Sequence, residues 1–197
     1  LKDCTGQGVG VHPEKCNKQA CAIKSLTFVM DTSCSFDGTD QDTAQLLASA
    51  LMRELNKEDI VVPQYQVIGS PGSRPVEVLP PTSLDANFIV QYKETLTKMQ
   101  CGVQWNLEAI KHTLEHCAKD GAVIVLYTDD GTYESDSEEL TKDIVKLVKN
   151  KQATIIIFIT PHYIGGTKSM MQYRKISENR VYEMNKYKAP DLSLIHI

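Results

Sequence analysis

Asp31-Thr32-Ser33-Cys34-Ser35 sets one carboxylate and two hydroxyls at alternate positions of a short segment. Thr128-Asp129-Asp130-Gly131 sets two more carboxylates directly after an apolar run. Hard divalent cations such as Mg²⁺ take oxygen ligands in near-octahedral geometry and keep several waters. A D-x-S-x-S loop that meets an aspartate from elsewhere would offer such a set. Either segment alone says little, because Ser and Asp are common in caps and turns. Together, at the ends of two neighbouring strands, they make a candidate metal site.

His112-Thr-Leu-Glu115-His116 offers a different chemistry. H-x-x-E-H is the pattern of inverted zinc peptidases, in which both histidines bind zinc and the glutamate is the base. On a helix at about 100° per residue, Leu107, Ile110, Leu114 and Cys117 share one stripe. His112 and His116 then fall nearly opposite, on the solvated face. A catalytic zinc needs a third ligand and a walled cleft, and the sequence names neither. The expectation is two exposed histidines. Gly165-Gly-Thr-Lys-Ser169 lacks the spacing of a phosphate-binding loop and reads as a glycine-rich helix entry. Trp105, the one tryptophan, is a candidate ligand-contact residue, with a local core plug as the alternative.

These groups need elements to position them. Residues 25–30 read as an apolar strand ending in Asp31. A helix follows, with a Thr39-x-x-Asp42 capping box and Ala44, Leu47, Leu51 and Leu55 on one face. Residues 65–69 and 75–79 read as strands joined by a turn, the second at a sheet edge because of Pro75 and Pro80-Pro81. Helices are expected within 83–99, through Leu107–Cys117, after a Ser135-x-x-Glu138 capping box, and over 167–177. Residues 122–128 and 153–160 are strongly apolar strands, and 180–184 is the last strand. Alternating strands and helices, with strands apolar on both faces, predict an open, doubly wound α/β sheet. That sheet is mostly parallel, with one antiparallel edge strand and helices on both faces. Ligands of such sheets bind beyond the carboxyl ends of the strands, where Asp31, Asp129 and Thr160 stand.

The chain has 197 residues, 21 basic and 25 acidic, with a net charge of −4. One domain with a short appendage fits that length. No basic stripe marks a nucleic-acid surface. The longest apolar runs, 122–127 and 155–159, fall far short of the ~20 residues that span a membrane. The chain begins at Leu1 with no signal-peptide pattern, so it reads as a fragment or a processed form. Residues 1–22, polar and rich in Gly and Cys, read as a lead-in, and 23–191 as the domain. Residues 192–197, Leu-Ser-Leu-Ile-His-Ile, read as a non-native tail resembling translated sequencing-adapter read-through. Cys4, Cys16, Cys21, Cys34, Cys101 and Cys117 form no C-x-x-C pair. They are expected to form disulfides in an oxidising compartment. The absence of an N-x-S/T sequon keeps buried cytosolic thiols open as the alternative.

Asp31-x-Ser33-x-Ser35, the run from Val123 to Asp129 and the α/β order together resemble a von Willebrand factor type A domain over roughly 24–188. Cys101-Gly102, Tyr127-Thr-Asp129 and the segment from Lys146 into 155–160 are most similar to the A domain at the start of the hemicentins. The resemblance implies a metal-ion-dependent adhesion site (MIDAS) built by the D-x-S-x-S loop, a Thr and an Asp. Its cation is Mg²⁺, Mn²⁺ or Ca²⁺, and its open position takes a carboxylate from a partner protein. Asp31, Ser33, Ser35 and Asp129 match that pattern. The place of the Thr, counted back from Ala109-Ile110, falls on Gln104, whose side chain is longer and neutral. Asp130 adds charge and, with Trp105, is a ligand-contact candidate.

The implied function is a secreted adhesion or matrix module that binds protein without catalysis, nucleic acid or membrane insertion. A metal-free structural or assembly domain is the alternative, and a zinc peptidase a remote one. On the inferred fold, Cys34 and Cys101 lie in loops at the same edge and are paired. Cys117, at the opposite edge, is expected to pair with Cys21 or Cys16, or else Cys4, the remaining two pairing with each other. A helix from Asn106 to Cys117 is about 18 Å long at ~1.5 Å per residue. That exceeds the roughly 7 Å a disulfide spans, so Cys101 and Cys117 are not paired.

Overall fold

Three strands carry side chains that are apolar on both faces, and they form the centre of the sheet. The structure, a computed structural model, describes residues 23–36, 38–57, 62, 64–70, 77–78, 85–96, 105–132 and 136–184. Its elements run β1 (Leu26–Asp31), α1 (Gly38–Lys57), β2 (Tyr65–Ser70), β3 (Glu77–Val78), α2 (Asp85–Leu96) and α3 (Asn106–His112). A π turn (Thr113–Cys117) continues α3, followed by β4 (Val123–Thr128), α4 (Ser137–Lys151), β5 (Thr154–Ile159), α5 (Thr167–Ile176) and β6 (Val181–Glu183). The sheet order is β3-β2-β1-β4-β5-β6. β2, β1, β4, β5 and β6 pair in parallel. Glu77 and Val78 pair antiparallel with Gly69 and Ile68.

Every residue of β1 and β4 is buried. That is what parallel strands covered by helices on both sides require. Side chains alternate between two cores. Phe28, Met30, Val125, Tyr127 and Phe158 face α1 and α2, against Leu47, Leu51, Phe88 and Tyr92. Val29, Ile124, Leu126 and Ile157 face α3, α4 and α5, against Leu107, Ile110, Leu114, Ile144 and Tyr173. The first core is aromatic. Phe28 and Tyr127 stack at 6.0 Å between centroids, and Phe28 meets Phe88 at 5.1 Å. Such pairs add about 0.5–1.5 kcal/mol beyond their area burial.

The expected capping boxes are not the ones used. α1 begins at Gly38, so Thr39 lies inside the helix, where its carbonyl accepts the Thr43 hydroxyl. α4 is preceded by Asp136 rather than Ser135, and Asp136 makes no side-chain cap bond. Local spacing alone does not decide which polar residue starts a helix. The stripe through α3 holds for Leu107, Ile110 and Leu114, all fully buried. It fails at Cys117, which is half-buried. The π turn holds an extra residue, so positions beyond Leu114 rotate off the α-helical stripe.

The chain leaves β1 toward β2 on one side, while β4 lies on the other. The order therefore reverses at β1 and β4, which opens a crevice at their carboxyl ends. Met30 pairs with Tyr127, so Asp31 and Thr128 end their strands side by side. No described helix is long and apolar enough to cross a membrane.

Candidate metal site at the carboxyl edge of the sheet

Asp31 is the last residue of β1 and is completely buried. One of its oxygens, Oδ1, accepts the Ser33 N–H at 2.9 Å, which turns the loop back over the strand end. The other, Oδ2, accepts the Thr128 hydroxyl at 2.7 Å, across 97 residues of sequence. Ser33 and Ser35 place their hydroxyl oxygens 3.0 Å apart. Asp129 follows β4 and is buried, and its Oδ1 has no hydrogen-bond partner among the described residues.

Burial, with nearby Asp129 adding to it, pushes the Asp31 carboxyl up from 3.8 to about 7, against the pull of Thr128 and Ser33. Burial also raises Asp129, with adjacent Asp130 adding to it and the Ser35 hydroxyl opposing it. Two carboxyls that share a desolvated pocket cannot both ionise cheaply without a counter-charge.

A second layer holds this pair in place. Asn106, the first residue of α3, is fully buried, and its amide nitrogen donates to the Thr128 hydroxyl and to the Tyr173 hydroxyl, both at 3.0 Å. Tyr173 donates in turn to the Asp130 carbonyl at 3.1 Å. The Asp129 loop is also stitched to the loop after β5. Ile164 N–H donates to the Asp129 carbonyl at 2.9 Å, and Thr160 N–H to the Thr128 carbonyl at 3.1 Å. A Cβ on Gly131 would lie 2.6 Å from Ser169 Oγ and 3.0 Å from the Gly165 backbone. The absence of a side chain is what lets these loops close. Thr132 completes the clasp through Ser169 and Gln172.

Sequence reasoning does not assign roles to Asn106, Tyr173 or Ser169. Thr128 stands beside Asp129 in its motif, but the motif gives it no task. Its contact with Asp31 depends on strand register, which a single motif does not contain.

This geometry can be set against known structures. The first similar structure is a von Willebrand factor type A protein from Catenulispora acidiphila, with a TM-score of 0.61 and 15% identity. The match covers 83% of this chain and 39% of that one. The chain has the von Willebrand factor type A fold. Proximal thread matrix protein 1 from the mussel byssus, in a form with a zinc-occupied MIDAS motif, matches at TM-score 0.59 and 15% identity. There 87% of this chain and 44% of that chain are covered. The pilus adhesin SpaC from Lactobacillus rhamnosus GG, in an open conformation, matches at TM-score 0.59 and 12% identity, over 83% and 28%. The chain thus spans less than half the length of each of these proteins. No protein-family model matches it, and no curated protein sequence does.

Within the type A fold, Asp31, Ser33, Ser35 and Asp129 meet at one edge. The donor set fits a hard divalent cation: carboxylate and hydroxyl oxygens, with one buried carboxylate oxygen unpartnered among the described residues. Gln104 and Cys101 lie outside the described residues, as do Cys4, Cys16 and Cys21. Trp105 is half-buried directly before α3. Asp130 is buried, and its Oδ1 accepts the Gly131 N–H at 2.7 Å.

Cys101, the expected partner of Cys34, lies outside the described residues. Cys117 is a free thiol. Its expected partners, Cys21, Cys16 and Cys4, lie outside the described residues. The π turn rotates this thiol toward Gln66 of β2, and burial pushes its pKa up.

His112 is half-buried and His116 exposed. Burial, with His116 adding to it, holds the His112 imidazole below its usual range. Among the described residues no three His, Cys, Asp or Glu side chains gather to hold a metal. His112, Glu115 and His116 thus have no further ligand of these types gathered with them among the described residues.

Proposed function

We propose that this chain is a recognition module that holds a hard divalent cation at the carboxyl edge of its sheet and offers it to a carboxylate of a partner protein. The single observation that carries this reading is the pair of buried carboxyls, Asp31 and Asp129. They lie beside the buried Ser33 and the exposed Ser35, whose hydroxyls are 3.0 Å apart, and one Asp129 oxygen has no partner among the described residues. Asp31, Ser33, Ser35 and Asp129 would hold the cation, with Gln104 as the fifth candidate. The bound cation would supply a Lewis-acidic position for one carboxylate oxygen of the partner.

The chain's own residues do the positioning. Thr128 orients Asp31, Asn106 orients Thr128, and the Gly131–Ser169 clasp holds the Asp129 loop. The mussel and pilus proteins with this fold are a matrix protein and an adhesin, which supports an extracellular binding role without catalysis. The cysteine content, read as disulfides, supports an oxidising compartment. The finer similarity to hemicentin A domains rests on the residues quoted for it above.

A metal-free structural domain is the second reading. It is favoured by one observation: both Asp31 oxygens already accept hydrogen bonds from the protein. Calorimetric titration with Mn²⁺ separates the two. Saturable binding that is lost in Asp129→Ala supports the metal site. No heat in the parent chain leaves the structural domain.

A further inference from the structure

α3 does not end as an α-helix. Thr113–Cys117 form a π turn, closed by the Ala118 N–H donating to the Thr113 carbonyl at 2.7 Å. Single π turns inside helices are rare and recur at functional sites. The carboxyl-edge site makes no use of this one. His112 stands at its start and His116 within it, with ring centroids 4.7 Å apart and planes tilted by 48°. Residues four apart share a helix face, and the two imidazoles are correspondingly adjacent.

The surroundings leave that pair open on its outer side. The His116 side chain is 62% exposed, and the Glu115 carboxylate lies 3.7 Å from its Nε2. The nearest cation on the helix, Lys111, is drawn to Asp143 of α4 at 2.9 Å, so its charge is neutralised there.

We propose that His112 and His116 form a two-point chelate for a borderline divalent cation of the imidazole-preferring class, Zn²⁺, Ni²⁺ or Cu²⁺. Imidazole nitrogen suits these ions, whereas carboxylate and hydroxyl oxygens suit Mg²⁺, Mn²⁺ and Ca²⁺. The chain would thus carry two sites of different selectivity. Asn106, which supports the oxygen site, and His116 lie about 15 Å apart along the helix at ~1.5 Å per residue. At that separation the two sites load independently. Two protein ligands on one helix face make this a docking point for a cation. The remaining positions go to water. Glu115 adds a negative charge beside His116. This inference does not rest on the carboxyl-edge reading and can fail or succeed without it.

The test is calorimetric titration of the untagged full chain with Ni²⁺ in saturating Mg²⁺, which keeps the oxygen site occupied. One equivalent of Ni²⁺ is expected to bind. His112→Ala and His116→Ala should each weaken it by on the order of 100-fold, because a chelate loses its intramolecular second contact. His162→Ala, at an exposed histidine in the loop after β5, and Asp31→Asn should bind Ni²⁺ as the parent does. Exposed His116 can change without disturbing the core, so its variant stands even if His112→Ala misfolds. Unchanged Ni²⁺ affinity in His116→Ala, or its loss in His162→Ala or Asp31→Asn, would overturn the proposal.

Discussion

The two ends of α3 present opposite solutions to holding charge. At its first residue, Asn106 joins a dry network of oxygens in which Asp31 and Thr128 are fully buried and fixed by hydrogen bonds. At its last turn, half-buried His112 stands beside exposed His116, with the Glu115 carboxylate 3.7 Å from the latter. Buried charge is costly, so the first end needs a supporting layer and a counter-charge. A half-buried imidazole beside an exposed one needs neither. The difference predicts that the carboxyl edge is electrostatically tense and selective for hard ions, while the π turn is relaxed and tolerant of substitution.

The comparison breaks most sharply at Asp31. Asp31→Asn keeps an acceptor for the Ser33 N–H and the size of the side chain but removes the charge. One unit charge at ~4 Å from another is worth about 4 kcal/mol at an effective dielectric of ~20. Mn²⁺ affinity should therefore fall roughly a thousandfold by calorimetry, with Ni²⁺ binding at the π turn intact. An unchanged Mn²⁺ affinity would remove Asp31 from the site.

The second prediction concerns pH. The folded Asp31 carboxyl sits at about 7 against 3.8 in its ordinary state. Between those values the folded chain binds the extra proton, so metal-free stability should fall as pH rises from about 4 to about 7 and then level off. The loss is on the order of a few kcal/mol at ~1.4 kcal/mol per unit. Asp31→Asn should flatten the slope, and so should Mg²⁺, which stabilises the ionised form. Denaturant titrations at several pH values measure both. A slope unchanged in Asp31→Asn would assign it to other groups.

Asn106→Ala removes two hydrogen bonds behind the site and should cost about 1–3 kcal/mol in chemical denaturation. It should also weaken Mn²⁺ binding, because Thr128 loses its orienting partner. Gly131→Ala should cost about 1–3 kcal/mol, since its Cβ would press on Ser169 and the Gly165 backbone. The smallest effect belongs to the other end of the helix. His116→Ala should leave metal-free stability within about 0.5 kcal/mol of the parent and Mn²⁺ affinity unchanged. A larger stability loss would mean that the π turn depends on the imidazole contact itself.

Much of the architecture was legible in the chain. The apolar runs at 122–128 and 153–160 are local patterns, as are the stripes through Leu47 of α1 and Ile110 of α3. Each has a period, and burial enforces it. D-x-S-x-S and T-D-D-G were legible as chemistry because two strand ends of a parallel sheet open on the same edge. Helix starts were less legible. Thr39 and Ser135 had the spacing of caps, yet the chain enters those helices at Gly38 and after Asp136.

By itself, then, the order of residues determined which segments are strands, which face of each helix is apolar, and that carboxylates and hydroxyls end two neighbouring strands. Periodicity and residue type are enough for that, because they act over a few neighbours. Only the tertiary structure decided what those groups touch. The Thr128 hydroxyl on Asp31, the Asn106 amide on Tyr173 and the Thr132 N–H on Ser169 join residues 97, 67 and 37 positions apart. The π turn that closes α3 and carries Cys117 off the apolar stripe is likewise a tertiary result. It departs from the helical period, so no pattern of apolar residues could announce it.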